Sequence, residues 1–226
     1  MSERGSSNLR GGILLRTIRR TSDLKVISGP SLLVDEILRL SGAADIPELV
    51  EGKWGGDISA WTPDSPTGTT RPTSLSLQRR NGGTSIRKSP IYRSPRIGLE
   101  LSHYSTKDSL DHPRVVYVSK PYRYFIQPDL LVANGRAHTF LGVYQTCRQS
   151  GRFEGNEGSL RREVVRLTKL SEKTAERYLE DYKYGIAHGL LKSFIGVAGK
   201  GASASPSTCL KMFGTLARLQ TPIGEA

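Results

Sequence analysis

The fold of this chain is decided by residues 168–183, which read TKLSEKTAERYLEDYK. Ser171 is placed to cap a helix, because its hydroxyl can accept a hydrogen bond from the free amides of the first turn. Apolar side chains then recur at intervals of three, four and seven residues, which predicts that one side of this helix is buried. They are Ala175, Tyr178, Leu179 and Tyr182. The side chains that project from the opposite side of the first two turns are Lys173, Thr174 and Arg177.

Two further helices are predicted before this stretch, one on each side of a Gly/Asn-rich loop. Residues 138–150 carry a helical apolar face that ends before Gly151. After the loop, Ser159 is the predicted N-cap of a helix whose polar sides carry Arg161, Arg162 and Arg166. A short helix, a tight turn led by a buried Leu170 and a second helix with polar residues near its start together form a helix-turn-helix.

The residues of this turn and helix resemble a known DNA-binding pattern. The run Leu170-Ser171-x-x-Thr174-Ala175-x-Arg177-x-Leu179 resembles the turn and recognition helix of winged helix-turn-helix proteins, which include bacterial and phage regulators and plasmid or phage replication initiators. The resemblance covers residues 138–214 and implies that the second helix enters the major groove of DNA. It implies contacts to base edges or phosphates from Lys173, Thr174 and Arg177, with Ser171 and Glu172 at the margin of the DNA-binding set. Arg161 and Arg162 are the DNA-binding candidates on the preceding helix.

The resemblance also implies a wing, which is a β-hairpin after the recognition helix. Residues 190–198 favour a strand, 199–208 form a Gly/Ser-rich loop, and 209–213 are the predicted return strand. Three DNA-binding candidates would line this hairpin: Lys192, Lys200 and Lys211. Two features depart from the pattern. Gly185 predicts a recognition helix that is either long or broken, and four acidic residues on it repel phosphates unless they turn outward: Glu172, Glu176, Glu180 and Asp181.

The composition favours a polyanionic partner. The chain has 226 residues, of which 36% are hydrophobic, so one packed domain with appendages is expected. Lysine and arginine outnumber aspartate and glutamate by 33 to 21, giving a formal net charge of +12. This charge argues for a nucleic acid and against a neutral metabolite as the partner.

No apolar run reaches the ~18 residues of a membrane helix. Two cysteines are too few for a disulfide framework or a four-thiolate metal site.

The aromatic residues are distributed unevenly along the chain. All nine tyrosines and all five phenylalanines lie at position 92 or later. Because aromatic side chains supply much of a core, we predict a packed domain over 98–226. Residues 1–61 are predicted to form a region with two short helices, at 9–20 and 31–41. The predicted fold class is α+β: a mainly helical winged helix-turn-helix domain with a β-hairpin, preceded by a flexible basic N-terminal region.

A Ser/Thr/Pro/Gly-rich linker is predicted over 62–97. Residues 71–96 of this linker contain seven basic side chains and no acidic ones. It is therefore either a plain spacer or a basic arm that neutralises phosphates.

A second stretch rich in tyrosine lies at 114–126, where two strands joined at Ser119-Lys120-Pro121 are predicted. Three tyrosines and three cations lie close together in it: Arg114, Tyr117, Lys120, Tyr122, Arg123 and Tyr124. Such a run either packs as a half-buried hairpin on the helices or offers rings on which unpaired bases stack.

Signatures of catalysis are not found in the sequence. The four histidines form no HxxxH or HxH pair, and there is no GxxxxGK[ST] phosphate loop and no GxSxG nucleophile elbow. We therefore expect a protein without enzyme activity, metal, cofactor or small-molecule substrate.

The predicted function is the binding of double-stranded DNA in transcription regulation or replication initiation. A homodimer and a nucleoid-associated location in the cytoplasm are expected, while an organelle or virion location stays open. The alternative is a structural or packaging protein, of virion or nucleocapsid type, that binds nucleic acid by charge alone. A regulator is expected to prefer one duplex sequence over random DNA by ~10³-fold or more, whereas a packaging protein is expected to show almost no preference.

Overall fold

Helices dominate the computed structural model, which describes residues 12–58, 89–131, 134–196 and 205–220. The chain divides into two compact units, with the boundary between Ile86 and Arg87. Two small antiparallel strand pairs accompany the helices, so the α+β class is confirmed. Most of the predicted linker (62–97) lies outside the described residues.

The first unit contains a β-hairpin followed by a helix. Its elements are β1 (Thr17–Arg19), β2 (Val26–Ser28), α1 (Pro30–Ser41) and a π-helical turn (Glu48–Lys53). The strands pair antiparallel with Ile18 opposite Ile27. Helix α1 begins with Pro30 and ends at Gly42, whose left-handed backbone (φ 60°) suits a helix C-terminus. The predicted helix over 31–41 is therefore confirmed.

The other predicted N-terminal helix, over 9–20, is wrong where the chain is described. Thr17–Arg19 form a strand instead, and residues 1–11 lie outside the described part. Thr17 and Ile18 are β-branched, which favours a strand. The hairpin is closed by a hydrogen bond from the Gly29 N–H to the Arg16 carbonyl at 2.8 Å. Pairing with residues seven to eleven positions later outweighs a short helical spacing of apolar residues.

The second unit is built around one buried helix. Its elements are β3 (Tyr92–Ser94), α2 (Pro113–Val118), β4 (Arg123–Phe125), a 3-10 turn (Pro128–Leu130), α3 (Arg136–Gln149), α4 (Glu157–Thr168), α5 (Glu172–His188), a 3-10 turn (Leu191–Phe194) and α6 (Pro206–Gln220). In α3 the side chains of Phe140, Leu141 and Val143 are at most 1% exposed. β3, α4, α5 and α6 all pack on α3. The helices predicted over 138–150 and from Ser171 are confirmed.

Helices α5 and α6 approach each other closely through glycines. A Cβ atom added to Gly214 would overlap the Tyr182 carbonyl oxygen and lie 2.9 Å from the Ile186 nitrogen. A Cβ atom on Gly185 would lie 2.8 Å from the Lys211 carbonyl carbon. Gly185 therefore serves close packing, and α5 runs unbroken through it to His188. Of the two predicted alternatives, a long helix is correct.

The predicted wing is wrong in its described parts. Residues 209–213 lie within α6, and 191–194 form a 3-10 turn, while 197–204 lie outside the described residues. Ser205 precedes α6 and its Oγ accepts a hydrogen bond from the Thr208 N–H at 3.4 Å. Buried side chains of α6 recur at helical spacing at positions 209, 210, 213 and 216, and Met212 and Thr215 are buried beside them. Taken without their neighbours, residues 209–213 favour a strand. The Ser-Pro start and the helical spacing of apolar residues over the fifteen residues of α6 specify a helix instead.

Two further local predictions are corrected. The first predicted strand of 114–126 is helix α2, since His112 Nδ1 accepts a hydrogen bond from the Arg114 N–H at 3.2 Å and Pro113 occupies the first helical position. The second predicted strand is β4, which pairs with β3. The N-cap of α4 is Asn156, whose Oδ1 accepts from the Ser159 N–H at 2.9 Å, so Ser159 lies inside the helix.

Candidate nucleic-acid interface

A three-residue turn joins α4 to α5. Lys169 adopts a left-handed backbone (φ 56°), and its N–H donates to the Val165 carbonyl at 2.9 Å. The half-buried Leu170 follows. Ser171 then caps α5, because its Oγ accepts a hydrogen bond from the Thr174 N–H at 3.2 Å. The predicted capping role of Ser171 is confirmed.

The inner face of α5 is sealed by aromatic packing. Ala175, Tyr178, Leu179 and Tyr182 are all buried, as the spacing predicted. The Tyr178 ring meets Phe140 edge-on with 5.4 Å between centroids, and the Tyr182 ring meets Tyr144 in the same way at 6.1 Å. Burial raises the pKa of both Tyr178 and Tyr182, so their hydroxyls stay neutral. These contacts fix which side of α5 points outward.

The outward side of α5 begins with two cations. Lys173 and Arg177 are exposed and lie four residues apart, so they share one face of the helix. The Arg177 guanidinium lies 5.8 Å from the centroid of the neighbouring Tyr178 ring. Thr174 is half-buried and its Oγ1 lies 2.8 Å from Ser171 Oγ. Lys173 and Arg177 are therefore the exposed cations in the first two turns of α5.

The carboxylates of α5 differ in their surroundings. Glu176 forms an ion pair with Arg161 of α4. Glu172 and Glu180 are exposed. Asp181 is buried and its Oδ1 lies 3.3 Å from Lys211 Nζ on α6. Two of the four predicted repulsive charges are thus paired with cations of this chain.

The predicted cations of α4 also have partners. Arg161 bridges to α5 through Glu176 and is half-buried. Arg162 is exposed and donates to the Ser159 hydroxyl at 2.9 Å. Arg166 donates two hydrogen bonds to Glu163, which lower the pKa of that carboxyl. Arg161 accordingly ties α4 to α5, while Arg162 presents its charge to solvent.

The three lysines predicted in the wing do not form a group on a hairpin. Lys192 is exposed on the 3-10 turn after α5. Lys211 lies on α6, where its Nζ sits 5.1 Å from the Tyr184 ring centroid and faces Asp181. Lys200 lies outside the described residues. The proposed role of Lys211 in a wing is corrected, since its ammonium holds α6 to α5.

A pocket of about 240 Å³ opens beside the turn between α4 and α5. Two cations and four hydroxyl side chains contribute to its lining: Arg136, Lys169, Thr139, Thr168, Ser171 and Thr174. Such a lining, next to the N-terminal amides of α5, is suited to an anion. Sequence reasoning missed Arg136 and Thr139, which lie some thirty positions before the turn. The position of Lys169 could have indicated an anion site, because it is a cation two residues before the Ser171 N-cap of α5.

A cysteine and a histidine meet in the core below this surface. Cys209 Sγ lies 3.8 Å from His138 Nε2, and both side chains are buried. Burial raises the pKa of the Cys209 thiol to about 12, so the sulfur stays protonated at neutral pH. The pair is a packing contact rather than an activated nucleophile.

The described residues contain no group of three or more His, Cys, Asp or Glu side chains that could hold a metal ion. Among the helices described, none has the length and apolar character to cross a membrane. Comparison of the chain with protein-family models, curated proteins and solved structures found no match.

Proposed function

We propose that this chain binds double-stranded DNA through the first two turns of α5, in transcription regulation or replication initiation. One observation carries the proposal: Lys173 and Arg177 project into solvent from a helix whose rotation is fixed by its buried face. The short turn from α4 and the Ser171 cap give this helix a defined start. A recognition helix requires this combination of a rigid backbone and extended polar side chains.

The two cations suit base edges in the major groove. An arginine donates two hydrogen bonds to O6 and N7 of guanine, and a lysine contacts the same acceptors. Lys173 and Arg177 are four residues apart, slightly more than one helical turn and about 6 Å along the axis. They therefore reach neighbouring base pairs of one site. Glu180 follows Arg177 by three residues, and its carboxylate is suited to accept from a cytosine amino group.

The pocket beside the turn suits a backbone phosphate. Lys169 and Arg136 supply positive charge, and Ser171 lies at the positive end of the α5 dipole. A phosphate held there would fix the register of α5 without reading sequence. The overall charge of +12 adds attraction for DNA that weakens with salt.

The proposal is tested by a double substitution, Lys173→Ala with Arg177→Ala. The matched control is Arg148→Ala with Arg152→Ala, which removes the same charge from exposed positions before α4. The twelve residues of α4 lie between these positions and the turn along the chain. Binding is measured by fluorescence anisotropy on a duplex selected from a random pool.

We expect the α5 double variant to weaken binding to the selected duplex by at least about tenfold, because each lost base contact contributes ~1–3 kcal/mol. The control pair is expected to change binding only slightly. Equal weakening by both pairs would mean that charge alone drives binding and would favour a packaging role. An unchanged affinity in the α5 variant would remove this helix from the interface. Dimerisation also stays a prediction, to be checked by the stoichiometry of protein on the selected duplex.

A further inference from the structure

The β3–β4 sheet has one buried face and one exposed face. Tyr92 pairs with Phe125, Arg93 with Tyr124 and Ser94 with Arg123. Side chains alternate between the two faces of a strand, so Arg93 and Tyr124 point the same way. Three neighbours extend or flank this exposed face by the same alternation. We call the set formed by Ile91, Arg93, Tyr122, Tyr124 and Ile126 the tyrosine face.

The opposite face of this sheet is anchored on the core. Tyr92 is 4% exposed and stacks on Phe125 with 5.6 Å between ring centroids. A Cβ atom added to Gly142 of α3 would lie 2.5 Å from the Arg93 carbonyl oxygen, so β3 lies directly on that helix. The Arg123 guanidinium donates to Ser94 Oγ and to Thr139 Oγ1, each at 3.2 Å. The tyrosine face therefore stands on a rigid support.

The tyrosine face itself is open to solvent. Tyr122 is 54% exposed, Tyr124 59%, Ile91 64% and Ile126 48%. Isolated exposed apolar residues are common, but a contiguous set on one sheet face marks an interaction site. The Arg93 guanidinium lies 5.3 Å from the Tyr124 ring centroid, leaving the remainder of that ring accessible.

The charged side chains of the segments that build this face have a single sign. The segments that build it, residues 89–99 and 112–128, contain five cations and no carboxylate. The cations are Arg93, Arg96, Arg114, Lys120 and Arg123. The first four are exposed, whereas the Arg123 guanidinium belongs to the opposite, anchored face. A surface that combines exposed aromatic rings with positive charge is complemented by a partner in which flat apolar groups are linked by negatively charged groups. Single-stranded nucleic acid has this chemistry, because unpaired bases stack on aromatic rings while phosphates pair with cations.

We infer that the tyrosine face binds single-stranded nucleic acid by base stacking, separately from the duplex site proposed on α5. Tyr122 and Tyr124 are two residues apart, so their rings are spaced about 6.6 Å along the strand. This is about twice the 3.4 Å rise per nucleotide in a stacked B-form strand. Consecutive bases can use both rings only when the strand is unstacked. A duplex, whose base faces already cover one another, cannot use them.

The inference is tested on the full chain with fluorescein-labelled dT12, rU12 and a 12-base-pair duplex. Tyr122→Ala with Tyr124→Ala is the test variant, and Tyr124→Phe retains the ring as a conservative variant. Tyr104→Ala is the matched control, because Tyr104 is 90% exposed and lies outside the tyrosine face. Thermal unfolding checks that each variant is folded.

We expect the double variant to bind dT12 or rU12 at least about fivefold more weakly, since one stacked base corresponds to a loss of about 5- to 150-fold on alanine substitution. Tyr124→Phe and Tyr104→Ala are expected to bind as the unsubstituted chain does. Whichever of dT12 and rU12 binds more tightly identifies the natural strand as DNA or RNA. Unchanged binding in the double variant, or an equal loss in Tyr104→Ala, would overturn the inference.

Two comparisons separate this inference from the proposed function. The tyrosine double variant is expected to retain duplex binding, whereas Lys173→Ala with Arg177→Ala is expected to retain binding of dT12. If the tyrosine double variant instead changes only the oligomeric state, measured by light scattering, the face binds a second copy and the inference is wrong.

Discussion

Gly214→Ala tests the close backbone contact between α5 and α6. The added Cβ would overlap the Tyr182 carbonyl oxygen and lie 2.9 Å from the Ile186 nitrogen and 3.1 Å from Gly185 Cα. All three are backbone atoms of α5, so no side-chain rotation can relieve the overlap. The substitution must push α6 away from α5 and loosen the core between them.

The expected magnitude follows from two opposing effects. Alanine is favoured over glycine inside a helix by ~0.8–1.0 kcal/mol. Overpacking a tight contact costs ~1–3 kcal/mol and sometimes more. Because this contact is between two backbones, we expect a cost at or above the upper end of that range. The free energy of unfolding should therefore fall by about 2 kcal/mol or more.

The measurement is urea unfolding followed by circular dichroism, with Gly158→Ala as the matched control. Gly158 lies in the first turn of α4, is exposed, and has no side-chain or backbone atom closer than 3.8 Å to an added Cβ. We expect that variant to be more stable by up to ~1 kcal/mol. If Gly214→Ala were as stable as the unsubstituted chain, α6 would not lie on α5 as described.

Four further outcomes are expected. Ser171→Ala should lower the free energy of unfolding by ~0.5–2 kcal/mol through loss of the α5 cap, while Ser171→Asp should retain it; urea unfolding checks both. Leu179→Ala should destabilise the fold by ~2–5 kcal/mol and Arg177→Ala by less than ~0.5, and equal losses would contradict the orientation of α5. Burial raises the pKa of Cys209 from its ordinary 9.0 to about 12, so the unfolded thiol ionises first and stability falls as pH rises between these values. Cys209→Ala should remove that part of the slope, and an unchanged slope would contradict the burial. Hydrogen bonds from Arg39 and Arg20 lower the pKa of Glu36 to about 2, so its contribution to stability is lost as pH falls from 4.5 toward 2; an NMR titration with a midpoint near 4.5 would refute the network.

The sequence alone was sufficient to predict the helices whose ends are marked by a capping residue, a proline or a glycine. The cap at Ser171 and the apolar spacing from Ala175 to Tyr182 specify α5 within twelve residues. Pro30 and Gly42 bracket α1 in the same way. In each case the marker and the buried side lie within one helix, so no knowledge of the rest of the fold is needed.

Contacts between distant parts of the chain explain the strand pairing and the helix that could not be predicted. β4 pairs with β3, some thirty residues earlier, and nothing in residues 114–126 indicates that partner. The segment from 209 has branched and aromatic residues that favour a strand locally. It is a helix because its apolar side packs on α5 through Gly214 and Gly185.

The candidate interface also has some features that could be predicted locally and others that depend on how the helices pack. The exposure of Lys173 and Arg177 follows from the helical period and is confirmed. The ion pair of Arg161 with Glu176 depends on the angle at which α4 meets α5, which the sequence does not encode locally. The contribution of Arg136 to the pocket likewise depends on how α3 packs beside the turn.

The most direct measurement of the central claim is a specificity ratio. Duplexes bound from a random pool are sequenced, and the affinity for the selected sequence is compared with that for a scrambled one at a fixed salt concentration. If α5 reads base edges, the ratio should be ~10³ or more, and it should fall in Arg177→Ala while affinity for the scrambled duplex changes little. A ratio near one, with no sequence enriched, would contradict DNA reading by α5 and leave binding by charge alone.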